Sequence, residues 1–139
     1  MAIRIVRLGS PRASGEGVRL GTVRRPPRGV PKHEFASRDF YDVWLPILSP
    51  SDDLLREYRA SLDERTFARF ARKFRAEMKR PDSARTLDLL AALSWSTQLS
   101  LGCYCADEAR CHRRLLREML LARGADVYHE LSAVARISG

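Results

Sequence analysis

The stretch that most constrains the fold is residues 98–105, QLSLGCYC. Side chains alternate faces along an extended chain. Leu99, Leu101, Cys103 and Cys105 therefore share one side, and Ser100, Gly102 and Tyr104 the other. Neither side carries a charge. Such a strand is expected to lie buried in mid-sheet, which is the habit of parallel sheets in α/β proteins. A short acidic and basic loop follows at residues 106–110. Residues 111–123 then read as a helix with Leu115, Leu116, Met119 and Leu120 inward, ended by Gly124.

The rest of the chain supplies partners for that strand. Residues 2–8 read as a first strand and residues 18–24 as a second, joined by a loop rich in Gly, Ser, Pro and Arg at residues 9–17. Three prolines and a glycine between residues 26 and 31 fix a rigid extended loop that Arg24, Arg25 and Arg28 decorate. Residues 41–48 read either as a short strand or as a buried connection. Ser51 suits a helix N-cap, with Asp52 and Asp53 in the first turn, where the helix dipole favours negative charge; that helix runs to about Ala60. Phe67, Phe70, Ala71, Phe74 and Met78 recur at helical spacing and mark the clearest helix, its other faces basic and solvated. Pro81 opens a further helix that carries to about Ser96. This order predicts a single layered α/β domain over residues 2–124, with a mostly parallel sheet flanked by helices. A hairpin between the first two strands would make the sheet mixed. Residues 125–139 read as an extension with a short strand near Val127 or a helix through Leu131.

Charge bounds the partners. Lys and Arg number 25 against 17 acidic residues, a net charge of +8. Nearly all the cations are Arg, which grips phosphate and carboxylate with two parallel hydrogen bonds. An anionic small molecule or a nucleic acid is the partner this composition favours. No apolar run reaches the roughly 18–20 residues that span a bilayer, so no membrane partner is expected, and the N-terminal residues lack a signal peptide's pattern. The protein is expected to be cytoplasmic. Its 3 cysteines, an odd number in a cytosolic chain, argue against a disulfide framework. All fall between Cys103 and Cys111, and they form the candidate site.

Ligands of open α/β sheets sit beyond the carboxyl ends of strands, beside the N-termini of the following helices. Cys105 falls at such a strand end, and Cys111 and His112 at such a helix start. A thiol there, next to Arg113 and Arg114, is biased towards thiolate, and the free backbone N–H groups attract anions. Four uses compete. Cys105, Cys111 or His112 serves nucleophilic chemistry; Cys103, Cys105, Cys111 and His112 hold a metal such as zinc or iron; the segment binds a ligand without chemistry; or the thiols pack as small hydrophobes in a structural or interaction protein. The spacing C-x-C-x5-C-H matches no standard zinc signature. His33 and His129 are isolated and read as surface residues. The sequence names no cofactor and fixes no oligomeric state.

With these residues in view, the chain resembles the YeaO-like family within the domain of unknown function 488. The resemblance rests on the basic strand Ile3-Arg4-Ile5-Val6-Arg7 and on Arg24-Arg25-Pro26-Pro27-Arg28-Gly29-Val30 after a second strand. It rests further on Trp44 followed by Pro50 and Ser51, on the aromatic helix, and on Cys105 before Cys111-His112-Arg113. Where the YeaO-like branch carries an acidic residue and a Trp around the loop arginine, this chain has Val23 and Pro26. The resemblance implies an α/β fold. It also implies a site built from the Pro-Arg-Gly loop and the Cys-His-Arg segment. On the charge argument, Arg24, Arg28, Arg113 and Arg114 in those segments are the expected anion ligands. The resemblance brings no substrate and no cofactor.

Overall fold

The computed structural model describes residues 2–59 and 63–128. Four strands, β1 (Ile3–Arg7), β2 (Val18–Gly21), β3 (Val43–Trp44) and β4 (Leu99–Cys103), form one sheet in the order β1-β4-β2-β3. Every pairing is parallel. The two-sided apolar reading of β4 holds, since all five of its residues are buried between β1 and β2. That placement removes the hairpin: β1 and β2 are separated by β4, so the sheet is parallel rather than mixed. Beyond β1, Val127 bridges Ile3 in parallel, extending the sheet towards the C-terminus. His129 and Leu131 lie outside the described residues.

Four helices follow the sequence periods: α1 (Asp52–Arg59), α2 (Glu64–Glu77), α3 (Pro81–Leu93) and α4 (His112–Ala122). Ser51 caps α1, its Oγ accepting from the Leu54 N–H at 3.2 Å, and Asp63 caps α2 through the Thr66 N–H at 2.7 Å. Residues from all four helices join Ile3, Leu20, Leu99 and Leu101 in one apolar core, with Phe70, Phe74 and Met78 of the aromatic stripe inside it. At alternate sheet positions the chemistry changes. Arg19 and Ser100, both fully buried, meet Glu16 from the loop after β1, with a bidentate pair to Arg19 at 2.8 and 2.9 Å and a bond from Ser100 Oγ at 2.9 Å.

Some boundaries move for local reasons. β2 ends at Gly21, although the Thr22 N–H still reaches the Gly102 carbonyl at 2.9 Å before the prolines begin. α3 stops at Leu93, so Trp95 leaves the helix and stands exposed, its N–H donating to the Gly124 carbonyl at 2.9 Å. Leu89 and Leu93, on the same helix, are exposed as well. Residues 41–48 combine both readings, with β3 followed by a short 3-10 turn, Pro46–Leu48. No described helix is long and apolar enough to cross a membrane.

Candidate functional site

The chain leaves β2 towards β3, but leaves β4 through α4 towards the far side of β1. β2 and β4 are neighbours, so their connections diverge at the centre of the sheet. Such a switch point opens a crevice at the carboxyl ends of the strands. A cleft of about 920 Å³ lies there, lined by residues 23–28 after β2, by Cys103, Tyr104 and Cys105 at the end of β4, and by His112 at the start of α4. Ser49, Pro50, Asp52, Leu55 and Arg56 close another side.

The loop after β2 is held by its own polar groups. Arg24 donates from Nε to the Pro50 carbonyl at 3.1 Å and from a terminal nitrogen to the Ser49 carbonyl at 2.9 Å. Its guanidinium therefore ties two walls of the cleft together. Arg25 pairs with Asp52 at 3.0 Å, and its carbonyl accepts the Tyr104 hydroxyl at 2.9 Å. Gly29 has φ +75°, a left-handed turn that a side chain would strain, and beside it Arg28 is exposed. Among the described residues Arg28 makes no hydrogen bond or ion pair. Arg56 also lines the cleft and pairs with Asp53. With Arg25 on Asp52 and Arg56 on Asp53, the unpaired positive charge of the cleft lining rests on Arg24 and Arg28.

The floor holds sulfur and imidazole. Cys103 and Cys111 are buried with their Sγ atoms 2.8 Å apart, while Cys105 is exposed. Cys111 is the N-cap of α4 but makes no side-chain cap bond. Its Sγ lies 3.6 Å from His112 Nδ1. His112 Nε2 lies 2.7 Å from the Thr22 carbonyl, which can only accept, so the ring proton sits on Nε2 and Nδ1 is left with its lone pair. The Phe74 ring packs edge-on at 5.6 Å and fixes the imidazole's plane. Burial drives the His112 pKa down to about 4, so the ring is neutral at pH 7.

Arg113 explains the polarity of this floor. It is buried, donates to the Cys105 carbonyl at 2.6 Å, and leaves its Nε without a hydrogen-bond partner. A buried guanidinium needs negative charge nearby. The neighbouring Cys103 and Cys111 thiols, helped by Arg113, pull the Cys105 thiol well below its usual range. Cys103 moves the opposite way, its proton held by the neighbouring sulfurs and by burial. For Cys111, the neighbouring Cys103 favours thiolate, but Cys105 and burial outweigh it, and its pKa rises.

Arg24, Arg28, Cys105 and His112 line one cleft. Cys111 and Arg113 sit beneath it. Arg114 lies apart: it is exposed, bonded to Glu118 at 3.3 Å and to the Ala109 carbonyl at 3.2 Å, and placed over the Phe67 ring. Sequence reasoning missed Arg56, whose approach is a long-range product of α1 packing. It also missed the Thr22 carbonyl, a backbone group with no sequence signature. His33 is exposed, as expected.

An open parallel sheet with helices packed on it, and a cleft lined by arginines and cysteines at its central switch point, defines an α/β protein. The chain belongs to the DUF488-N3a family, described as the active DUF488-N3 subclade, which it matches over residues 3–124. No curated protein and no solved structure matches it.

Proposed function

We propose that the protein binds a small phosphate-bearing anion in the cleft between the ends of β2 and β4. The observation that carries this reading is the gathering of Arg24, Arg25, Arg28 and Arg56 around one concavity, with Arg28 unengaged by any described residue. About 920 Å³ falls within the roughly 300–1,000 Å³ typical of small-molecule sites. Arg28 would grip the anion, Arg24 would position the loop, and the start of α4 would add its dipole. A concave site suits a nucleotide-sized molecule better than a duplex. Part of the basic surface elsewhere is neutralised, with Lys73 on Glu57, Arg75 on Glu118 and Arg123 on Asp88.

Calorimetry at low salt with inorganic pyrophosphate, mononucleotides and single-stranded oligonucleotides tests this reading. Binding of the small anions is expected, with Arg28→Ala weakening it about tenfold, roughly 1.4 kcal/mol. Oligonucleotide binding with a steep salt dependence and no small-anion binding would transfer the role to nucleic acid. No binding of any anion at low salt would end the proposal.

A second reading, a thiol-dependent enzyme, is supported by the exposed Cys105 thiol on the cleft wall, with Cys111 and His112 behind it. If it holds, a bound anion should shield Cys105 from alkylation. Equal labelling with and without pyrophosphate would count against it.

A further inference from the structure

We infer that Cys103, Cys111 and His112 form a binding site for a borderline-soft divalent metal ion, zinc in class, beneath the floor of the cleft. Their donor atoms all lie within 4.8 Å of one another, and all three residues are buried. Two thiolates and an imidazole are a donor set that suits zinc, and three protein ligands with a fourth position left over is the arrangement of catalytic zinc sites.

Three features of the site bear on metal binding. First, the imidazole is oriented as a ligand. Nε2–H donates to the Thr22 carbonyl at 2.7 Å, leaving the Nδ1 lone pair on the side of Cys111 Sγ at 3.6 Å. A metal-bound histidine almost always donates its other N–H in this way, which fixes the ring and raises its basicity. Second, the two sulfurs stand 2.8 Å apart, inside the ordinary contact distance of two thiols and well outside a disulfide's bond length of about 2.05 Å. Two sulfurs on one zinc, at about 2.3 Å each, stand roughly 3.7 Å apart at a tetrahedral angle. Binding the ion would therefore widen the sulfur pair, and no side-chain cap bond ties Cys111 Sγ to the helix start. Third, Arg113 is buried with an unpartnered Nε and lies close to Cys103 and Cys111. Two thiolates neutralise the ion, and an anionic fourth donor gives a net charge that this guanidinium balances. Cys103 and His112 both touch the cleft, so the fourth position faces it.

Cobalt(II) titration of the chelator-treated, reduced, full-length protein tests the site. The expected result is thiolate-to-cobalt charge-transfer absorption and the intense visible bands of a tetrahedral ion, saturating at a single equivalent and displaced by zinc. Cys111→Ser and His112→Gln are expected to weaken cobalt binding by at least about a hundredfold, beyond the ten- to hundredfold typical of losing an outer-shell partner. Because these residues are buried and either variant could unfold, the wild-type titration stands by itself. Absence of the cobalt bands in reduced, folded wild-type protein would overturn the inference. So would a protein that, oxidised in air, is lighter by two hydrogens through a Cys103–Cys111 disulfide and whose reduced form takes up no cobalt. Cys105→Ser is expected to retain the tetrahedral bands at a single equivalent, because two thiolates and the imidazole remain as ligands. Loss of those bands in that variant would overturn the three-ligand set.

Discussion

At the scale of single residues, two buried polar clusters flank β4 and do different work. The pair Glu16–Arg19 is closed. Both carboxylate oxygens meet Arg19, and the remaining guanidinium nitrogen donates to the Ser10 and Asp39 carbonyls at 2.9 and 2.7 Å. Removing one member strands the other charge, so Arg19→Met is expected to lower stability by about 3–5 kcal/mol, read from urea unfolding. The same pair sets a pH dependence. Burial opposes the Glu16 charge, but hydrogen bonds from Arg19, Ala13 and Ser100 win and hold its carboxyl below the ordinary value. The carboxylate's contribution is therefore complete above the unfolded value near 4.5 and is lost as pH falls through the lower folded value. Arg12, Asp39 and Asp42 share this neighbourhood. Glu16→Gln should flatten the acid limb of a stability profile; an unchanged limb would assign the loss to other carboxylates. The thiol cluster is open by contrast. Iodoacetamide should label Cys105 quickly and leave Cys103 and Cys111 unmodified until unfolding, as peptide mass mapping would read; equal rates at the three would contradict their difference in burial.

At the scale of elements, the legible parts were those whose burial shows as a period. The Phe67–Phe70–Phe74 stripe revealed α2, and the uncharged alternation of residues 98–105 revealed β4 as central. β3, at two residues, carries no period to read. Strand order was hidden as well, because pairing between β1 and β4 joins segments nearly a hundred positions apart in the chain. The apolar run through Leu93 and Trp95 extended the expected helix too far, and Leu89 and Leu93 stand exposed because apolar residues on α3 outnumber the positions its inner face can cover. Gly102, paired with Val6, leaves no room for a side chain beside β1. A Cβ there would stand 2.6 Å from Leu8 Cδ2 and 2.9 Å from the Val6 carbonyl oxygen. Backbone cannot yield as a side-chain tip can, so Gly102→Ala is expected to cost about 1–3 kcal/mol in thermal or urea unfolding. A neutral result would mean that β1 shifts freely against β4.

At the scale of the molecule, the site follows from topology. Chain direction diverges after β2 and β4, and that divergence brings the Pro-Arg-Gly loop against the Cys-His-Arg helix start. The sequence showed both segments, because prolines, arginines and clustered cysteines are compositional signals. Their meeting was an inference from resemblance. The roles of Arg24 as a tie between walls and of Arg113 as a buried counter-charge were invisible, since each depends on carbonyls and sulfurs brought close only by folding. Arg114 illustrates the converse: adjacent in sequence to Arg113, it faces away on the next helical position and is held by Glu118. The proposed anion site is this cleft and not the basic surface at large. Amide chemical-shift mapping with inorganic pyrophosphate at moderate salt tests it most directly. Shifts are expected to concentrate in residues 23–28 and 103–112 and to saturate together with one dissociation constant. Shifts spread over the exposed arginines of α2, with residues 23–28 and 103–112 unmoved, would contradict it.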